Sequence, residues 1–104
     1  MIIYSITVSV EAPIARQWLH WMQQEHIPEV MATGYFLESS MQQLLEPAPQ
    51  EGTHTYNIQY TCRDLETFQK YEQTEADRLR KEHASKFGEQ VVAFRTLLKK
   101  LPVS

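Results

Sequence analysis

Residues 2–10 alternate in character, with Ile2, Tyr4, Ile6, Val8 and Val10 set against Ile3, Ser5, Thr7 and Ser9. A period of two puts each set on its own face of a β-strand. Residues 53–62 repeat the pattern more sharply. His54, Tyr56, Ile58, Tyr60 and Cys62 share one face, and Thr55, Asn57, Gln59 and Thr61 the other. Residues 35–45 read as a long strand with mixed faces, and residues 91–98 as a fourth strand. Pro47, Pro49 and Gly52 mark the loop between the second and third strands. Elsewhere the apolar spacing changes to three or four. Ile14, Trp18, Leu19, Met22 and His26 form one helical stripe. Leu65, Phe68, Ala76, Leu79, His83 and Phe87 form another.

The helix boundaries are marked by chemistry. Pro13 suits a first turn, where its missing N–H goes unneeded. Pro28 predicts a kink or break near His26, followed by a short turn over 29–33 that stops at Gly34. Asp64 is a good N-cap, Asp77 and Lys81 are spaced to pair on the wet side of the second helix, and Gly88 ends it.

The order β-α-β-β-α-β predicts an α+β, ferredoxin-like domain: a four-stranded antiparallel sheet with two helices on one face. One domain over 1–101 and a tail over 102–104 account for the chain, with no internal repeat. Helices on the apolar faces leave Ser5, Thr7, Ser9, Thr55, Asn57, Gln59 and Thr61 on the open face. Strand four is expected to add Val91, Ala93, Arg95 and Leu97 there. Small uncharged polar groups fit either a solvated face or a polar pocket covered by another subunit's sheet.

Composition narrows the function classes. Ten Lys/Arg against thirteen Asp/Glu give a net charge of −3, which argues against a nucleic-acid or membrane-surface partner. The chain has 104 residues and 42% hydrophobic residues, enough for one core without disulfides or metal. Cys62 is the single cysteine, compatible with a reducing cytoplasm. The first ten residues lack the basic start of a signal peptide, and no apolar run is long enough to span a membrane. The expected location is therefore cytoplasmic.

Several segments together carry a family resemblance: Glu25-His26-Ile27-Pro28-Glu29-Val30, Thr33-Gly34-Tyr35-Phe36, Tyr56-Asn57-Ile58-Gln59-Tyr60, Glu82-His83 with Phe87-Gly88, and Phe94-Arg95-Thr96-Leu97-Leu98. The chain resembles, over about residues 1–101, a small bacterial family known only as a domain of unknown function. The resemblance implies the dimeric α+β barrel superfamily, in which two ferredoxin-like sheets pack face to face. It implies no activity, because that fold serves monooxygenases, mutarotases, haem-degrading enzymes and stress-response proteins alike.

His26 and His83 are the candidate proton-transfer groups. Each is read near a helix C-terminus, where the helix dipole favours imidazolium. The alternative is a pair of packing histidines bonded to backbone carbonyls. Arg95, in an apolar strand, is a candidate anchor for a carboxylate or phosphate, or else a partner of Glu25, Glu29 or Glu82, or an Arg exposed at the sheet edge. Asn57 and Gln59 are candidate ligand contacts on the open face. Trp21 lies off the main stripe and is a candidate for a ligand or subunit contact.

The histidine spacings fit no metal motif, and no cofactor is expected. Cys62 reads as packing. Ile3-Tyr4-Ser5-Ile6 in the first strand and Tyr56, Ile58 and Tyr60 in the third faintly resemble the stacking aromatics of RNA-recognition domains, but the third strand has no Lys, Arg or Gly.

These readings converge on a homodimer with a pocket for a small anionic organic molecule, with turnover left open. The alternative is a non-catalytic interaction or stress-related protein acting through its dimer surface, and the third is an RNA-binding module.

Overall fold

The computed structural model describes residues 1–103; Ser104, the end of the expected tail, lies outside the described residues. Four strands form one sheet in the order β2-β3-β1-β4: β1 (Ile2–Glu11), β2 (Phe36–Gln43), β3 (Thr53–Cys62) and β4 (Val91–Lys99). All three neighbouring pairs are antiparallel. Two helices, over residues 15–32 and 65–87, cover one face, which is the ferredoxin-like plan.

The alternation of β1 and β3 sorts the faces. Tyr4, Val8, Val10, Tyr56, Ile58, Tyr60 and Cys62 are buried beneath the helices. Trp18, Met22 and Val30 meet them from the first helix, and Phe68, Tyr71, Leu79 and Phe87 from the second.

The core divides into two aromatic groups. Tyr4 packs against Phe36, Tyr60, Phe68 and Tyr71, with ring centroids 5.0 to 6.3 Å apart. Trp18 stacks on Tyr56 at 5.1 Å, and Trp21 meets Phe87 edge-on at 5.3 Å.

Strand four has the opposite phase to the expected one. Tyr4 pairs with Leu97, Ile6 with Arg95, Val8 with Ala93 and Val10 with Val91. Directly paired residues share a face, so Val91, Ala93, Arg95 and Leu97 lie on the helix side. The open face instead receives Val92, Phe94, Thr96 and Leu98. The strand is apolar on both faces, so its own pattern carries no phase. Strand two is shorter than expected, and a bulge between Phe36 and Glu38 breaks its register.

Pro28 does not break the first helix. The chain runs on as helix over Ile27–Ala32, and the disturbance is taken up by a π turn at Met22–His26. There the Ile27 N–H bonds the Met22 carbonyl, which widens the helix beside the Pro28 ring. A second π turn spans Glu72–Ala76. Thr74 donates to the Lys70 carbonyl at 2.7 Å on this stretch. The extra residue shifts the buried stripe, so Tyr71 is buried and Leu65, expected in the stripe, is exposed.

The expected helix ends are present. Asp64 accepts from the Thr67 N–H at 2.8 Å, and Gly34 and Gly88 follow the helices with φ of 83° and 56°. Asp77 and Lys81 pair at 2.9 Å on the wet side.

Ile58 is fully buried at the centre of β3. Ile58→Ala should lower unfolding free energy by about 2–5 kcal/mol, read as a reduced denaturant midpoint at unchanged slope.

Candidate functional site

Between the sheet and the two helices lies a cavity of about 40 Å³, room for one or two water molecules. Its wall includes Tyr4, Ile6, Trp18, Met22, His26, Tyr60, Tyr71, Arg80, His83, Ala93 and Arg95. Both aromatic groups of the core contribute to it, Tyr4, Tyr60 and Tyr71 from one and Trp18 from the other. His26, His83 and Arg95, from three separate elements, therefore meet at one place. Asn57 and Gln59 do not join them, because they lie on the opposite face of the sheet.

His26 lies within the π turn and not at a helix C-terminus, since the helix continues to Ala32. Its ring stacks on Trp21, with centroids 4.8 Å apart, and meets His83 edge-on at 5.9 Å. Trp21 is buried within this group, and the Lys86 ammonium stands 5.9 Å from its ring.

His83 belongs to the last turns of the second helix, and its Nε2 accepts from the Trp18 indole N–H at 3.0 Å. The expected imidazolium is not favoured at either position. Burial, then His83, then Arg95 push the His26 pKa down to about 4. Burial and then Arg95 lower that of His83, and these outweigh the field of its helix end.

Arg95 pairs with none of the glutamates considered for it. Among the described residues every ion pair belongs to Arg78, Arg80 or Lys81. Arg95 and Leu97 are exposed although they point to the helix side, so the helices leave the β4 edge of that face uncovered. Ala93 and Arg95 of this edge strand line the cavity.

Arg80 was not singled out from the sequence. It donates to the Tyr4 hydroxyl at 2.8 Å and to Glu72 at 2.6 Å. Burial opposes its charge, but Glu72 and Tyr4 outweigh burial and hold its pKa above the ordinary value. Its spacing of three from His83 was the available signal. That signal was masked by the surrounding run of mixed charges.

Two buried side-chain atoms lack a hydrogen-bond partner among the described residues: His26 Nδ1 and Arg80 Nε. Both belong to residues lining the cavity. A buried unsatisfied polar atom costs about 1–3 kcal/mol, so each of these two atoms favours a polar partner.

Cys62 is buried, its thiol lies 3.3 Å from the Tyr35 carbonyl, and burial raises its pKa; it packs, as expected. No cluster of three or more metal-ligating side chains is present among the described residues. No helix among them is long and apolar enough to cross a membrane.

On the open face, the Asn57 amide donates to Ser5 Oγ at 2.9 Å and Thr7 Oγ1 at 3.2 Å, and its oxygen accepts from Gln42 at 3.0 Å. Beside this polar network stand exposed Val92, Phe94 and Leu98. Tyr4, Tyr56 and Tyr60, the residues behind the RNA-stacking reading, are buried on the other face.

The lowered histidine pKa values have a definite sign. In the unfolded chain both bind protons near pH 6.5, and in the fold they resist doing so. The stability that His26 contributes is present above pH 6.5 and is lost as pH falls towards about 4, and that of His83 is lost in the same direction. Thermal melts should show a steady midpoint above pH 7 and a decline across that window. His26→Gln should remove on the order of 2 kcal/mol of the pH dependence.

Comparison with known proteins agrees with this architecture. No curated protein matches the chain in sequence. Among solved structures, it is similar to an ethyl tert-butyl ether (EthD) family protein from Bacillus halodurans, with 14% identity, TM-score 0.68, and 97% of this chain and 100% of that one covered. HapK from Hahella chejuensis is similar at 10% identity and TM-score 0.69, covering 100% and 96%. A dimeric ferredoxin-like protein from an uncultured marine organism is similar at 11% identity and TM-score 0.66, covering 98% of each chain. At these identities the likeness is one of fold. The family described as Domain of unknown function (DUF4286) matches residues 1–101, and the chain belongs to it.

Proposed function

We propose that this protein binds a small anionic organic molecule at the β4 edge, with its polar head in the cavity. The convergence of His26, His83 and an unpaired Arg95 on one cavity carries this reading. Arg95 pairs with the anion, since a guanidinium presents a fork of donors to a carboxylate or phosphate. The free space accepts a head group only, so the body of the ligand lies at the β4 edge, near exposed Leu97. His26 and His83, neutral at physiological pH, are the groups that a proton transfer would use. Asn57 and Gln59 have no part in this site.

The same reading makes the protein a homodimer joined through its open sheet faces. The chain exposes 6917 Å², against the roughly 6,100 Å² usual for a monomer of this mass. Val92, Phe94 and Leu98 supply an apolar edge to that face, and the Asn57 network a polar centre. One solved structure of similar fold is described as dimeric. This surface also supports a second reading, a non-catalytic protein acting through its dimer face.

Native mass spectrometry of gently purified protein tests both parts. The expected species has twice the 12.2 kDa chain mass, plus the mass of the ligand. A bare monomer would count against the covered sheet. A bare dimer whose melting midpoint no small organic acid raises would leave only the interaction reading. Arg95→Ala should weaken ligand binding by about tenfold or more with little change in melting temperature. Loss of folding instead would make Arg95 structural. Phe94→Asp should convert the dimer to monomer, read by sedimentation.

A further inference from the structure

We propose that Trp18 is a positioning residue that locks His83 as the tautomer with its proton on Nδ1, leaving the bare Nδ1 of His26 as the cavity's imidazole acceptor. The two rings then offer one donor and one acceptor to a single oxygen. That is the complement of a hydroxyl: an alcohol, enol or phenol on the ligand, or a water in its place. The consequence for a ligand rests on the binding site proposed above, whereas the tautomers belong to the protein alone.

An indole N–H donates and cannot accept. Its partner 3.0 Å away is Nε2 of His83, which must therefore be bare. A neutral imidazole carries one proton, so that proton is on Nδ1. Turning the ring over would set a C–H against the indole N–H and lose the bond. Protonating His83 on both nitrogens would set two N–H groups against each other.

Trp18 is itself held firmly. It is fully buried and stacked on Tyr56, with ring centroids 5.1 Å apart. The donor is thus fixed before any ligand arrives.

His26 is read from its surroundings. Its Nδ1 is buried and has no partner. A buried N–H without an acceptor is rarer in proteins than an under-used lone pair, so the proton is on Nε2. The His83 ring stands 5.9 Å away edge-on, too far for a direct ring-to-ring bond and suited to a bridging oxygen. Arg95 lines the same cavity from β4, and its charge disfavours a second proton on either ring. The division of labour is then fixed: His83 can hold an oxygen and His26 can take its proton.

Long-range ¹H–¹⁵N correlation spectra of histidine-labelled protein, recorded without ligand at pH 7.5, decide the matter. His83 Nε2 and His26 Nδ1 should show the downfield shifts of bare ring nitrogens, and the other nitrogen of each ring the upfield shift of N–H. A coupling across the hydrogen bond from the Trp18 indole N–H to His83 Nε2 should be visible. In Trp18→Phe, the two His83 nitrogens should move towards a tautomer average while His26 stays unchanged.

A proton on His83 Nε2 or on His26 Nδ1 in the wild-type protein overturns the proposal. So does a folded Trp18→Phe protein with unaltered His83 shifts. If that variant does not fold, the wild-type shifts and the cross-bond coupling give the answer. Wrong tautomers in a protein that carries ligand sink this inference alone. Correct tautomers in a protein that binds nothing sink the ligand reading alone.

Discussion

The pairing of β4 with β1 is the constraint on which the rest depends. β1 is one of the two inner strands whose alternation separates a covered face from an open one. β4 has apolar residues on both sides and takes its phase wholly from this partner. With Ile6 opposite Arg95, the guanidinium comes to the helix side and meets the two histidines. A slip of one residue would send Arg95 to the open face and bring Phe94 inward. The site and the apolar edge of the open face are therefore two results of one register.

The fold was legible because most elements state their period more than once. β1 and β3 alternate cleanly, Asp64 caps a helix, and Gly34 and Gly88 stop the helices where the chain must turn with positive φ. Two things were hidden. The first was the phase of β4, since a strand apolar on both faces matches either register until its neighbour chooses. The second was the pair of π turns. A stripe counted at 3.6 residues per turn slides off the buried face after one of them, so Leu65 was included and Tyr71 left out.

Of the candidate site, residue types were readable and company was not. His26, His83 and Arg95 stand out as titratable or charged residues in apolar segments. Their meeting depends on contacts distant in sequence, as the Trp18 bond to His83 shows. Arg80 stayed hidden because its neighbours Arg78, Lys81 and Glu82 make it resemble part of a solvated face. Asn57 and Gln59 illustrate the reverse case. Correctly placed on the open face, they are separated from the histidines by the thickness of the sheet.

The π turns have a consequence for how the protein tolerates change. Each half of the fold has one, between a strand and the cavity-facing end of its helix. A residue of regular helix turns through about 100°, so one surplus residue rotates everything beyond it by that angle. Arg80 and His83 look inward only through this offset, and so does the helix beyond His26. The two turns work as indexing notches: removing a residue there would leave a regular helix of good propensity, aimed in the wrong direction. Length in these stretches is thus a specification in its own right, independent of which side chains occupy them.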